Sequence, residues 1–449
     1  MPEDFRTEGN VGNKMKILVV TDVLWRTDNG VGNSYSNIFS NLQNVEIRNI
    51  CCQEGPSDNT ISSGCFQIGE ARLIKNLINK NYPAGAEEKE KTDTVEVDEQ
   101  KDSKNSFLSF LVRSRLQILL WIREAIWKIG RWKSPELREF VDNFQPDIIF
   151  AQLQDKMYMN NLIIYLQEYL KKPLVVYSWD DVYSLRQFSL SPLFWIDRLF
   201  QRTSIRSLMK RTSLLYTISE EQKEEYHKSL GIDTDLLYKG MILNELPQIN
   251  SELSSAKSIQ MLYTGNLYSG RYQTILSICK IINKINSRGV RIQLHIFSGT
   301  NLSEKQKRRL CIGNSSFFEG SISEKEVVEK QKEADVLLHI EPKSLKGRLL
   351  CRLSFSTKLV DYFSRAKCIF AVGDPICSSI AYLQRNDAAI VVNTVEQAEE
   401  ALNEMISKPE LIPQYAKKAF DCGKRNHDLS KIQERLIKKL ELLCRGVVI

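Results

Sequence analysis

The run M-K-I-L-V-V-T-D, residues 15–22, passes through V-L-W-R-T-D into N-G-V-G-N-S-Y, residues 29–35. A continuously apolar run rich in β-branched residues reads as a strand covered on both faces, since a half-exposed strand would alternate. Gly30 and Gly32 let the backbone turn sharply before a helix, whose free N–H groups can hold an anion or a hydroxyl. Strand, glycine turn and helix form one module. The module is not the dinucleotide fingerprint, because the third glycine of G-x-G-x-x-G would fall at position 35, which is Tyr35.

Working outward, the module recurs. Strand-like runs stand at 47–52 (IRNICC), 147–151 (DIIFA), 174–181 (LVVYSWDD) and 214–219 (LLYTIS). A second series runs through 259–265 (IQMLYTG), 292–299 (IQLHIFSG), 335–342 (DVLLHIEP), 368–374 (CIFAVGD) and 388–393 (AAIVVN). Helix openings lie between them, with capping-box pairs Ser219 and Gln222, Ser323 and Glu326, and Thr394 and Gln397. Alternating strands and helices of this kind imply α/β architecture: two doubly wound, Rossmann-like parallel-sheet domains facing a central cleft. The series pauses in the polar, proline-containing stretch 240–258, so the expected domains are 15–240 and 241–427. A flexible N-terminus, 1–14, precedes them, and a helix at 428–449 is expected to cross back to the first domain.

Composition agrees with such a chain. At 449 residues, two or three domains are expected at about 150 residues each. Hydrophobic residues make up 42% and charged residues 26%, which excludes disordered, collagen-like and multi-span membrane classes. A net charge of +7 on 62 basic and 55 acidic residues gives no ground for nucleic-acid binding. The ten cysteines include no C-x-x-C pair, and the first fourteen residues are polar without the apolar core of a secretory signal. A reducing, cytoplasmic setting is expected.

One stretch departs from the pattern. Residues 85–105 hold eight acids and four lysines with little apolar mass, which predicts a disordered insertion. Residues 106–133 hold six bases, one acid and three tryptophans. At about 100° per residue, Arg113, Gln117, Glu124, Lys128 and Arg131 share a sector, as on a basic amphipathic helix at a lipid interface. Arg113, Trp121, Trp127, Lys128, Arg131 and Trp132 are then the expected membrane-facing residues; burial of the helix against the first domain is the alternative.

Further candidate chemistry lies at strand ends. In Y-T-G-N-L-Y-S-G-R, residues 263–271, a strand ends at Gly265 and Arg271 opens a helix, where a guanidinium can fork onto phosphate oxygens. From Lys343 to Lys358 there are five bases and no acid, and S-F-S-T-K-L-V-D-Y-F follows at 354–363. Ser356 and Thr357 suit a helix N-terminus, and Lys358 lies three residues before Asp361, on the same helical face. A cation for phosphate and a carboxylate for ribose, one turn apart, suit a nucleoside diphosphate.

In this order, these elements resemble the retaining glycosyltransferases of the GT-B fold, in particular the large bacterial polysaccharide and lipopolysaccharide family. The resemblance runs from Met15 to the last helix and includes F-Q-P-D-I-I-F-A, L-L-Y-T-I-S-E-E, A-D-V-L-L-H-I-E-P and T-K-L-V-D-Y-F. It implies that Gly265 and Arg271 bind the donor diphosphate with Lys358, and that Asp361 bridges the ribose. Asn266 stands where an arginine often helps. Leu353 stands where the family carries a first acid, eight residues before Asp361, and Glu341 is the candidate substitute. Gly30, Gly32, Ser298, Gly299, Ser356 and Thr357 complete the expected donor-binding set. Asp180 and Asp181 occupy the place where many relatives have a histidine, and are the expected catalytic carboxylates.

The implied reaction moves a sugar from a nucleotide-diphosphate sugar to an acceptor hydroxyl, with no metal and no cofactor beyond that co-substrate. The implied partners are a glycan or lipid-linked oligosaccharide acceptor and an anionic membrane surface, at the inner face of the plasma membrane. A nucleotide-sugar epimerase or hydrolase of the same fold, and a non-catalytic sugar-nucleotide-binding partner of another transferase, are the alternatives.

Overall fold

The computed structural model describes residues 14–27, 29–88, 117–243 and 258–447. Arg113 and most of the 85–105 stretch lie outside these residues. Fourteen strands are described: β1 Met15–Thr21, β2 Val45–Cys51, β3 Cys65–Gln67, β4 Ala86–Glu87, β5 Ile148–Gln152, β6 Leu174–Ser178, β7 Leu214–Thr217, β8 Thr234–Leu236, β9 Ile259–Thr264, β10 Ile292–Phe297, β11 Ser316–Gly320, β12 Val336–Ile340, β13 Cys368–Val372 and β14 Ile390–Val392. One sheet has the order β4-β3-β2-β1-β5-β6-β7-β8 and the other β11-β10-β9-β12-β13-β14.

All ten expected strands form, and their burial explains their composition. In β5, β12 and β13 every residue is buried, as helices covering both faces of a parallel sheet require. The start of the 85–105 stretch is ordered, which corrects the expectation of disorder there: Ala86–Glu87 pairs antiparallel with β3, and Glu88 accepts from the Ser57 N–H at 2.8 Å.

Each sheet reverses its strand order once, at β1/β5 and at β9/β12. Such a reversal sends the helices after the two central strands to opposite faces and opens a crevice at the strands' carboxyl ends. By packing, the chain divides into two compact units, one of 1–177, 193–215 and 435–449, the other of 178–192 and 216–434. Residues 216–240 therefore group with the second unit; there the Ser219 hydroxyl donates to the Leu353 carbonyl at 2.8 Å.

The helix Gln117–Ile129 belongs to the first unit and packs one face against the helices Glu70–Ile78 and Met157–Leu170. Trp127 is 1% exposed and stacks on Tyr158 at 4.5 Å between ring centres, with its indole N–H donating to Glu70 at 3.0 Å. Trp132 is also buried and donates to the Trp127 carbonyl. Glu124 accepts from the Met157 and Tyr158 N–H groups, both at 2.9 Å, and so caps the helix Met157–Leu170. The lipid-facing assignment of Trp127 and Trp132 is corrected accordingly: both rings fill the protein interior. Trp121 is half-buried and donates to Asp197, whereas Lys128 and Arg131 are exposed.

Candidate functional site

The site of the second unit is built on the β9/β12 reversal. A cavity of about 210 Å³ opens there, walled by Tyr263 and Thr264 from β9, by Leu338 to Ile340 from β12 and Glu341 just after it, and by the segment Ser354–Lys358. Gly265 has φ +150° and Gly270 φ +96°, a backbone region in which only glycine is unstrained. A Cβ on Gly265 would collide with the Lys358 ammonium. The glycine therefore makes room for the lysine, and Gly270 starts the helix Arg271–Ile285 at the cavity wall.

Charge is concentrated on this wall. Arg271 donates to Glu341 Oε2 at 2.7 Å and to the Ile340 carbonyl at 3.3 Å. Glu341 is 2% exposed, and its other oxygen lies 3.3 Å from His339 Nε2. Burial alone would raise the Glu341 pKa, but His339 and Arg271 outweigh it and hold the carboxyl at about 2. Lys358 shows the opposite balance. Burial, then the neighbouring Arg271, bring its ammonium down to about 8, with Glu341 and Asp361 opposing. With Glu341 ionised beside two cations, the pocket carries surplus positive charge in a partly dry setting, which suits a phosphate chain.

Each expected donor residue can now be placed. Asn266, Arg271, Glu341, Ser356, Thr357 and Lys358 all line the cavity. Asp361 is on the helix Lys358–Ser364 and pairs with Lys239 at 2.8 Å, outside the cavity lining. Ser298 is buried and donates to Thr300, which in turn accepts from the Leu267 N–H, so Ser298 supports the loop that carries Asn266. Gly299 is exposed and packs near Ser321, away from the cavity. Gly30 and Gly32 belong to the first unit. The Gly32 N–H is taken by Asn29 at 2.7 Å, and a Cβ at Gly32 would overlap the Arg26 backbone. Close packing thus accounts for Gly32, while Gly30 has open space around it.

The two aspartates separate. Asp181 is buried and accepts from the Tyr183 and Ser184 N–H groups, the Ser184 hydroxyl and the Gln187 amide. It also lies 3.5 Å from Arg352, and with all these partners it is a loop-capping residue. Asp180 is exposed and accepts from the Ser354 hydroxyl at 2.8 Å, which brings it to the mouth of the cavity that Ser354 lines. Of the two carboxylates, only that of Asp180 is exposed.

Sequence reasoning missed His339, Cys351 and Ser354 in the cavity wall. It also missed a second cavity, of about 320 Å³, beside the β1/β5 reversal of the first unit. There Lys156 pairs with Asp22, Arg123 pairs with Glu70, and Tyr158 donates to Asp22 at 2.6 Å. Burial acts to raise the Asp22 pKa, but Lys156 and Arg123 outweigh it and hold the carboxyl below its usual value. The strand end V-T-D at 20–22 was the available signal.

No protein-family model matches the sequence, and no curated protein does. Solved structures do. The chain is similar to a sucrose-phosphate synthase from Thermosynechococcus elongatus, with a TM-score of 0.63 at 10% identity over 96% of this chain and all of that one. It is similar to HepE from Anabaena in complex with UDP, with a TM-score of 0.62 at 13% identity over 95% of this chain and 100% of that one.

The chain has the GT-B fold. A trehalose 6-phosphate synthase from Burkholderia multivorans matches this GT-B chain in the same way, with a TM-score of 0.60 at 11% identity over 96% and 99% of the two chains. In the GT-B frame, the charged cavity lies in the second of the two α/β units and the Asp22–Lys156 cavity in the first.

Proposed function

We propose that this protein is a retaining glycosyltransferase that moves a sugar from a nucleotide-diphosphate sugar to an acceptor hydroxyl. The observation that carries the reading is the surplus positive charge of the β9/β12 cavity, where Arg271 and Lys358 converge beside a glycine-shaped turn. Structural neighbours crystallised with UDP and with UDP-glucose support a nucleotide-sugar donor. Arg271 and Lys358 neutralise the departing diphosphate, the task a metal ion performs in other enzymes, so the reaction proceeds without one. Asp361 takes the ribose hydroxyls once it exchanges Lys239 for them. Asp180 orients the acceptor hydroxyl or serves as its base.

The acceptor is a glycan or a lipid-linked oligosaccharide in bacterial surface polysaccharide synthesis, reached at the cytoplasmic face of the membrane. Among the described residues, no helix is long and apolar enough to cross a bilayer. A second reading, binding of the sugar nucleotide without transfer, is favoured by Leu353, fully buried where the related enzymes carry an acid. Nucleotide release from a panel of UDP-, GDP-, ADP- and dTDP-sugars, with and without acceptor extracts, decides between them. Acceptor-stimulated release of one nucleoside diphosphate supports transfer. Tight nucleotide binding with no release under any condition supports the second reading.

A further inference from the structure

The first half of the helix Pro192–Met209, PLFWIDRLFQRTSIRSLM, carries its polarity in reverse, whereas the second half buries Ile205, Leu208 and Met209 in the ordinary way. Its charged pair Asp197 and Arg198 is buried at 7% and 4% exposure. Its large apolar residues Leu193, Ile196, Leu199 and Phe200 are exposed by 37%, 45%, 58% and 57%. Spacings of three and four residues place these four on one face, a contiguous apolar stripe where a surface helix ordinarily shows charge. Trp121 ties this helix to Gln117–Ile129 through a 2.9 Å hydrogen bond to Asp197, and the second helix also exposes apolar residues, Ile122 and Ile129.

Among the described residues of these two helices and the four that follow each, the exposed charges have one sign. The acid of each helix is turned inward, Asp197 onto Trp121 and Gln201 and Glu124 onto the Met157 and Tyr158 amides. The charged side chains exposed on the two helices and just beyond them are Lys128, Arg131, Lys133, Arg206 and Lys210, all basic. Exposed leucine, isoleucine and phenylalanine beside exposed lysine and arginine match an anionic lipid surface, into which an amphipathic helix sinks its apolar face while lysine and arginine reach phosphate headgroups.

We propose that the exposed face of Pro192–Met209, with Ile122 and Ile129 of the tethered helix, docks this protein on anionic bilayers. The inference rests on the membrane part of the proposed function and moves its contact from the buried tryptophans Trp127 and Trp132 to Leu193, Ile196, Leu199 and Phe200.

The test is co-sedimentation of the full chain with vesicles of phosphatidylcholine alone and with phosphatidylglycerol added. The wild type is expected to bind the anionic vesicles. Leu199→Glu with Phe200→Glu should weaken that binding about tenfold or more at unchanged melting temperature and unchanged UDP affinity, because both side chains are exposed and outside the donor cavity. Lys128→Glu with Arg131→Glu should remove the preference for anionic over neutral vesicles. Undiminished vesicle binding by the Leu199, Phe200 variant overturns this surface while leaving membrane association intact. Failure of the wild type to bind any vesicle overturns both. Concentration-dependent dimerisation without lipid that the same variant abolishes overturns the proposal in favour of an interface between copies. Donor turnover in vesicle-free solution reads the transferase proposal separately.

Discussion

Arg271 donates to Glu341 at 2.7 Å in the wall of the β9/β12 cavity, so a guanidinium that lines the pocket is also the partner of its buried acid. Glu341, held between Arg271 and His339, therefore orients the guanidinium. Glu341→Gln should leave a largely buried guanidinium without its counter-charge and lower stability by about 3 kcal/mol. A shift of the urea midpoint at unchanged slope checks this; an unchanged midpoint would refute the pairing.

The lowered Lys358 pKa gives diphosphate binding a signed pH dependence. A bound diphosphate favours the ammonium, so the complex holds a proton that the free protein loses above about pH 8. Affinity should be flat below that pH and fall by about tenfold per unit above it, with proton uptake on binding. Calorimetry in buffers of different ionisation enthalpy measures the uptake. Lys358→Arg, charged throughout the range, should abolish the slope.

Gly265 and Lys358 share one space. Gly265→Ala should push the lysine aside and strain a backbone at φ +150°, costing about 1–3 kcal/mol and weakening nucleotide binding about tenfold. Thermal melting with and without UDP reports both effects. An alanine variant with wild-type affinity would show that Lys358 is not held at this turn.

The two neighbouring aspartates should respond oppositely. Asp181→Ala removes the cap of the loop and should destabilise by about 1–3 kcal/mol. Asp180→Ala should leave the melting temperature in place and lower turnover about a hundredfold. Turnover at the wild-type rate in Asp180→Ala would remove that residue from the chemistry.

The sequence makes a strand legible when burial on both faces forces a continuous apolar run, as in Ile17–Val20 or Ile369–Val372. The short strands Cys65–Gln67, Thr234–Leu236 and Ser316–Gly320 carry no such run, because strands at or near a sheet margin are only partly covered. In the site, Gly265, Arg271 and Lys358 were legible from their order and spacing. His339 was not, although a strand points residues two apart to the same face, and Glu341 directed attention there. The burial of Trp127 depends on the Tyr158 ring and on Glu70, and the capping by Glu124 on the amides of Met157 and Tyr158, all some thirty residues or more away in the chain. A helical wheel shows where a polar stripe lies and carries no information about such a distant partner.

The most direct measurement is equilibrium binding of UDP, GDP, ADP and dTDP to the wild type, Arg271→Ala and Lys358→Met at pH 7. A diphosphate site in the β9/β12 cavity predicts binding of at least one nucleotide, weakened at least about tenfold in each variant. Binding undiminished in both variants would contradict it and place the nucleotide elsewhere.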